Sequence, residues 1–321
     1  MAPFVSLVVV NCNGEAILGK CLSSLEKISY PKNQYEIIVV DNASTDKSLD
    51  IIKIHKQVRL IKHKRNLGYV GVNSALSKAK GKYLFILNND LELDPHCVSK
   101  LVEVGEKRKD AGVIVPKFIN YFSRNIESGG TWISRSFYTG HFQGKDEKEV
   151  KETAYLGIEM IRASIARKFG YIYDQDYFIY AEDVDLSLRY RLLGYITLYV
   201  PSAIVYHMHS ETMKSVPNAK KTYLLERNLL WTFYKVFSWP TIIILSPYVY
   251  GMRAFAISKD ILSLNFSVAF ARMKAICTVL YSLPSLFKKR ARLQKLRKIT
   301  DKRMLDIFTE KHLFSGKRIT I

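Results

Sequence analysis

The feature that most constrains this chain is a rhythm in its first ninety residues. Short apolar, β-branched runs at 4–10, 35–40, 58–62 and 83–87 each end in a polar loop, and the first three loops lead into stretches of helical spacing at 17–25, 48–56 and 70–79. The unit recurs at roughly 25-residue intervals, the length of a strand, a loop and a crossover helix. Continuous apolar runs of this kind suit strands buried on both faces of a parallel sheet. An α/β fold is therefore expected. In such sheets ligands bind beyond the carboxyl ends of the strands, and every polar loop named here falls at such an end. From 113 to 155 the pattern becomes irregular, and 156–167 reads as a strand and a short helix. A helix over 184–193 and a strand over 196–200 follow.

Those loops carry candidate chemistry. Asp41 closes the second run within Asp41-Asn42-Ala43-Ser44-Thr45-Asp46. A strand-terminal carboxylate can accept hydrogen bonds from a base or a ribose, although an Asx-turn leading to a helix cap by Ser44, Thr45 or Asp46 uses the same residues. Asn88-Asn89-Asp90 ends the fourth run, where a carboxylate can hold a hard divalent cation on a diphosphate. Farther on, Glu182, Asp183 and Asp185 crowd into four positions. Carboxylates this close raise one another's pKa, which suits a general base; they would also suit the positive end of a helix dipole. His207 and His209 lie two apart on a strand end, so only one can enter a given site.

Composition narrows the partners. The 321 residues carry a formal net charge of +20, which favours a polyanionic partner. Nucleic acid is disfavoured, because there is no zinc finger, RNP-like strand or helix-turn-helix. Neither GxGxxG nor GxxxxGK[ST] occurs, which disfavours dinucleotide oxidoreductases and P-loop NTPases. The four cysteines, Cys12, Cys21, Cys97 and Cys277, lack zinc or CxxC spacing and read as thiols of a reducing compartment. No charged n-region precedes residues 7–10, and that run is too short for an h-region, so the chain is expected on the cytoplasmic side.

After about residue 223 the chain becomes apolar and aromatic. Residues 236–252 carry no charge, but Pro240 and Pro247 interrupt them and the stretch is shorter than the ~20 residues of a spanning helix. A second apolar segment at 261–287 precedes a cluster of lysines and arginines at 288–298. Such a pattern fits lying on, or dipping into, an anionic membrane leaflet, and it suggests a lipid-linked acceptor. The expected division is a sheet domain over 1–225 and an apolar, basic helical region over 226–321.

Taken together, Val9-Val10-Asn11-Cys12-Asn13-Gly14, Val40 through Asp46, Asn66-Leu67-Gly68, Leu87-Asn88-Asn89-Asp90 and Glu182-Asp183-Val184-Asp185 resemble glycosyltransferase family 2, most closely its rhamnosyltransferase-type members. The resemblance covers about 4–228. It implies a GT-A fold, a nucleotide-diphospho-sugar donor such as a UDP- or dTDP-sugar, a divalent metal (Mg²⁺ or Mn²⁺), inversion at the anomeric carbon, and work in cell-envelope polysaccharide synthesis. Carried over position by position, Asp41 would hold the nucleotide base with Asn11 and Asn66 near it, and Ser44, Gly68, Asn88 and Asn89 would complete the donor site. Asp90 would bind metal and diphosphate with His207, which is preferred to His209. Asn88 stands where the family has its first metal-site acid. Asp183 falls at the base position with Glu182 beside it, and Asp185 is left to cap the helix. Gln-x-x-Arg-Trp is absent, which disfavours a processive synthase; a silent sugar-nucleotide-binding partner is the remaining alternative.

Overall fold

The computed structural model describes residues 2–144, 146–208 and 217–309. In chain order the strands are β1 Val5–Asn11, β2 Tyr35–Asp41, β3 Val58–Lys62, β4 Tyr83–Asn88, β5 Leu91–Leu93, β6 Ala111–Asn120, β7 Ile126–Ser128, β8 Thr131–Ser134, β9 Thr139–His141, β10 Lys151–Glu152, β11 Glu159–Arg162, β12 Ile196–His207 and β13 Phe308–Thr309. The helices are α1 Leu18–Glu26, α2 Ser48–Ile54, α3 Asn73–Leu76, α4 Cys97–Lys107, α5 Ala163–Phe169, α6 Glu182–Leu192, α7 Asn218–Val236, α8 Trp239–Leu262, α9 Phe266–Gln294 and α10 Asp301–Leu305.

The main sheet runs β10-β12-β6-β11-β4-β1-β2-β3, with β5 on β12 and β7 on β6. The expected parallel block is present, since β1 pairs in parallel with β2 and β4, and β2 with β3. β1, β2 and β4 are buried almost throughout, which explains their unbroken apolar runs, whereas the edge strand β3 is mostly exposed. The sheet is mixed overall, because β11 runs antiparallel between β4 and β6. The chain winds outward from β1 to β3 and then returns to place β4 on the other side of β1. That reversal opens a crevice at the carboxyl ends of β1 and β4. A small second sheet, β13-β8-β9, organises part of the irregular stretch.

Two expectations change here. The helix expected over 70–79 is a 3₁₀ turn, Gly68–Val72, followed by the single turn α3. Close packing shapes that loop: a Cβ on Gly71 would lie 2.5 Å from Asn42 Oδ1, and one on Gly68 only 2.1 Å from the Phe178 carbonyl. The apolar stretch broken by prolines is also one continuous 24-residue helix, α8. Pro240 sits in its first turn, where no N–H is needed, and the helix continues through Pro247. Length alone therefore does not stop α8 or the 29-residue α9 from crossing a bilayer.

Candidate active site

Register sets the floor of the crevice. Asn11 ends β1 opposite Asp41 at the end of β2, and Val10 faces Asn88 on β4. The buried Asn11 amide donates to Asp41 Oδ1 at 3.0 Å and Ser44 Oγ at 3.1 Å, while its oxygen accepts from Asn89 Nδ2 at 2.8 Å. Ser44 donates its hydroxyl to Asp41 Oδ1 at 2.5 Å and its N–H to Oδ2 at 3.1 Å. Asn11, Asp41, Ser44 and Asn89 thus form one network, with the Asp41 carboxylate fully buried inside it. Gly14 presses on this network, for a Cβ there would meet Asn89 and Asn11 within 2.4 Å. Asp46 accepts the N–H groups of Ser48 and Glu15, which starts α2. Asn66 accepts from the Gly68 N–H and donates to Cys12 Sγ, so it shapes the rim.

Asp90 and His207 meet although 117 positions separate them in the sequence. β5 pairs antiparallel with the end of β12, and the Met208 N–H donates to the Asp90 carbonyl at 2.8 Å. His207 Nε2 stands 3.4 Å from Asp90 Oδ2, and its Nδ1 lies 2.9 Å from Glu127 Oε2. Burial opposes charge on this imidazole, but hydrogen bonds to Asp90 and Glu127 overcome it and raise the pKa to about 9. These donors fit a divalent cation: a carboxylate and an imidazole adjoin, and a second carboxylate orients the imidazole from its far side. Among the described residues no group of three or more His, Cys, Asp or Glu is placed to enclose a metal. Asn88 ends β4 with its Oδ1 buried and without a hydrogen-bond partner among the described residues. His209 lies outside the described residues.

The acidic stretch opens α6. Phe178, Tyr180 and Ala181 all hold positive φ (65°, 69° and 58°), a conformation that costs of order 1–3 kcal/mol per residue. Asn228 of α7 fixes this turn by donating to the carbonyls of Tyr177, Ile179 and Tyr180 at 3.2, 3.0 and 2.6 Å. Glu182 is buried, with Oε2 unpartnered among the described residues. Its pKa is raised well above 4.5, first by burial and then by Asp183. Asp183 is half-buried and accepts the Val184 N–H at 2.8 Å; burial lifts its carboxyl to about 6. Beneath them Glu159, fully buried, accepts from the Tyr173 hydroxyl at 2.7 Å and is driven far above 4.5 by burial and by Asp183.

Asp185 does not cap α6. It is completely buried, pairing with Arg189 Nε at 2.7 Å and with Lys235 Nζ at 2.6 Å. Tyr69, Glu127, Glu159 and Asn228 belong to the site region without having been singled out in the sequence. Tyr69 lies where Asp90, Glu182 and Asp183 all act on its hydroxyl, after burial, to raise its pKa. Its N–H donates to the Phe178 carbonyl at 2.8 Å, which ties the donor-side loop to the acid-bearing one. Replacing Asn228 with Ala strands three carbonyls and is expected to cost about 1–3 kcal/mol, read by thermal unfolding, together with on the order of tenfold in kcat as the acid pair loses its fixed position.

A mixed sheet with a switch-point crevice, a carboxylate–imidazole pair at its edge and a raised acid pair opposite define the GT-A type of nucleotide-sugar enzyme. The chain belongs to glycosyl transferase family 2, whose family model matches residues 6–168. It is 26% identical over 228 residues to an uncharacterized glycosyltransferase of Haemophilus influenzae, covering 67% of this chain and 69% of that one. It is 24% identical over 238 residues to the N-acetylglucosaminyl-diphospho-decaprenol L-rhamnosyltransferase of Mycobacterium tuberculosis, covering 64% and 76%. The fold matches the crystal structure of S. aureus TarS 1-349 in complex with UDP-GlcNAc, with a TM-score of 0.64, 16% identity and coverage of 95% and 89%. It also matches GalNAc-T7 with UDP, GalNAc and Mn²⁺, with a TM-score of 0.64, 18% identity and coverage of 88% and 58%.

Proposed function

We propose that this glycosyltransferase moves a hexosyl or deoxyhexosyl group, with inversion, from a UDP- or dTDP-sugar to a hydroxyl of a lipid-linked glycan at the cytoplasmic face of a membrane. The observation that supports this reading is the tie between Tyr69 and Phe178, which joins the donor-side loop to the turn that carries the raised acid pair. Asn11, Asp41, Ser44, Asn66, Gly68, Asn88 and Asn89 shape the nucleotide side of that cleft. Asp183 takes the proton from the acceptor hydroxyl as that oxygen attacks the anomeric carbon from the face opposite the diphosphate. Glu182 orients the acceptor. Asp90 and His207 would hold Mg²⁺ or Mn²⁺, which when bound supplies positive charge against the leaving diphosphate.

The relatives favour the lipid-linked acceptor, since the mycobacterial one acts on a diphospho-decaprenol substrate. Residues 1–225 are assigned to donor chemistry and 226–321 to the membrane side, a boundary that falls within α7. A panel of UDP-, GDP- and dTDP-sugars, scored for donor hydrolysis with Mg²⁺ and with Mn²⁺, tests the reading; no turnover of any donor overturns it in favour of a silent binding partner. Asp90→Ala is expected to remove the metal-dependent part of donor affinity, and calorimetry giving the wild-type value would refute that assignment.

A further inference from the structure

The last long helices pack side by side. α9 runs parallel to α7, through Trp231 Nε1 donating to Ser282 Oγ at 2.8 Å and Gln294 Nε2 to the Lys235 carbonyl at 2.8 Å. α8 runs antiparallel to both, with Tyr234 and Tyr250 hydroxyls 2.8 Å apart, and Trp239 and Phe287 rings in contact at 4.9 Å. Their outer sides are apolar. On α8, Ile243, Ile244, Tyr248, Phe255 and Leu262 recur at helical spacing and are exposed, Leu262 by 84%. On α9, Phe266, Phe270, Met273, Leu280 and Tyr281 do the same, Tyr281 by 90%. The stripe along α8, from Ile243 to Leu262, is roughly 28 Å long at 1.5 Å per residue. Only 17% of its apolar window is buried, so it is not a core helix.

Charge identifies the occupant. α8 and α9 together contain one acid, Asp260, already paired with Arg272 at 2.8 Å. Lys259, Lys274, Lys288 and Arg292 are exposed along them. A second copy presenting this face would set cation against cation, whereas an anionic lipid surface complements it. Both helices are also tied down. Arg253, buried in α8, lies 3.0 Å from Glu226 Oε2 of α7 and donates to the Ser136 carbonyl at 2.8 Å. Arg272, buried in α9, binds the same Glu226. Crossing a bilayer would break this two-arginine clamp and carry both charges into hydrocarbon.

We propose that α8 and α9 form a monotopic platform that seats on the headgroup–acyl boundary of one anionic leaflet without crossing it. The inference deepens the membrane-surface reading above and rests on it. α7 connects the platform to the active site, because Asn228 holds the acid-bearing turn two residues beyond the clamp residue Glu226.

Cys277 supplies a probe. It is exposed on α9, whereas Cys21 and Cys97 are buried and Cys12 is partly buried with a pKa that burial raises. The full chain, labelled there with an environment-sensitive dye, is mixed with 7:3 phosphatidylcholine–phosphatidylglycerol vesicles. The dye is expected to shift blue and to be quenched best by bromines near the headgroups. Each of Ile244→Glu, Phe255→Glu and Phe270→Glu should lower partitioning at least about tenfold, and Lys288→Glu about fivefold at low salt, with lipid-free donor hydrolysis unchanged. Quenching strongest at the bilayer centre, with resistance to alkaline carbonate extraction, would mean spanning and overturn the proposal. So would absence of vesicle binding with a doubled mass by light scattering. A chain that binds vesicles but hydrolyses no donor refutes the transferase reading instead and leaves the platform standing.

Discussion

Replacing Asp183 with Asn is expected to lower kcat by roughly 10²–10⁴-fold, the usual contribution of a positioned base, while donor affinity stays at the wild-type value. The wild-type rate should fall tenfold per pH unit below an apparent pKa near 6, where burial has moved this carboxyl. Glu182 is also raised well above the ordinary carboxylate value, by burial and then by Asp183, and the two acids titrate as a pair. Because burial rather than the charge of Glu182 leads the shift on Asp183, Glu182→Gln should leave the acid limb near 6. A limb displaced toward the ordinary carboxylate value would assign the shift to mutual repulsion. Linkage gives a second readout. A carboxyl raised from 3.8 to about 6 contributes stability that is complete below pH 3.8 and lost as pH passes 6. At neutral pH the ionised base is therefore a cost to the fold, and Asp183→Asn should raise the Tm while removing activity. Wild-type turnover in this variant would sink the assignment.

The strand-end residues were legible in the sequence because each closes an unbroken apolar run, so its neighbours across the sheet follow from register. Asn11 beside Asp41 is such a case. Residues that reach the site from distant segments left no local signal. Glu127 meets His207 only because β7 and β12 flank β6, and Glu159 lies beneath Asp183 only because β11 inserts antiparallel between β4 and β6. The loop after β3 read as a helix because its apolar spacing is helical, whereas the approaches at Gly68 and Gly71 hold it to a 3₁₀ turn. Asp185 was misread for a related reason. An acid in the first turn of a helix ordinarily faces solvent and the dipole; this one is enclosed by Lys235, which arrives from α7 fifty positions later.

That enclosure predicts the largest stability effect. Lys235 is 2% exposed and bridges Asp174 Oδ2 at 2.9 Å and Asp185 Oδ1 at 2.6 Å. Asp185 also holds Arg189, whose guanidinium lies over the Phe169 and Tyr171 rings and donates to the Ile172 carbonyl at 2.6 Å. The network joins α6, α7 and the 171–177 segment behind the acid pair. Lys235→Met fills the space but leaves two buried carboxylates facing each other with too little countercharge, a change that typically costs about 3–5 kcal/mol. For a chain of this size the Tm should fall by on the order of 10 °C. Lys289→Met is the control: that amine also meets Asp174 and Asp176 but is 30% exposed, so water takes its place and the loss should stay within about 1 kcal/mol. The same contrast separates support from chemistry. Below its lowered Tm, Lys235→Met should keep the acid limb near pH 6, because Asp183 owes its shift to burial and not to this network. Equal Tm losses from the two lysines would show that solvent reaches the network and that α6 is held by packing alone.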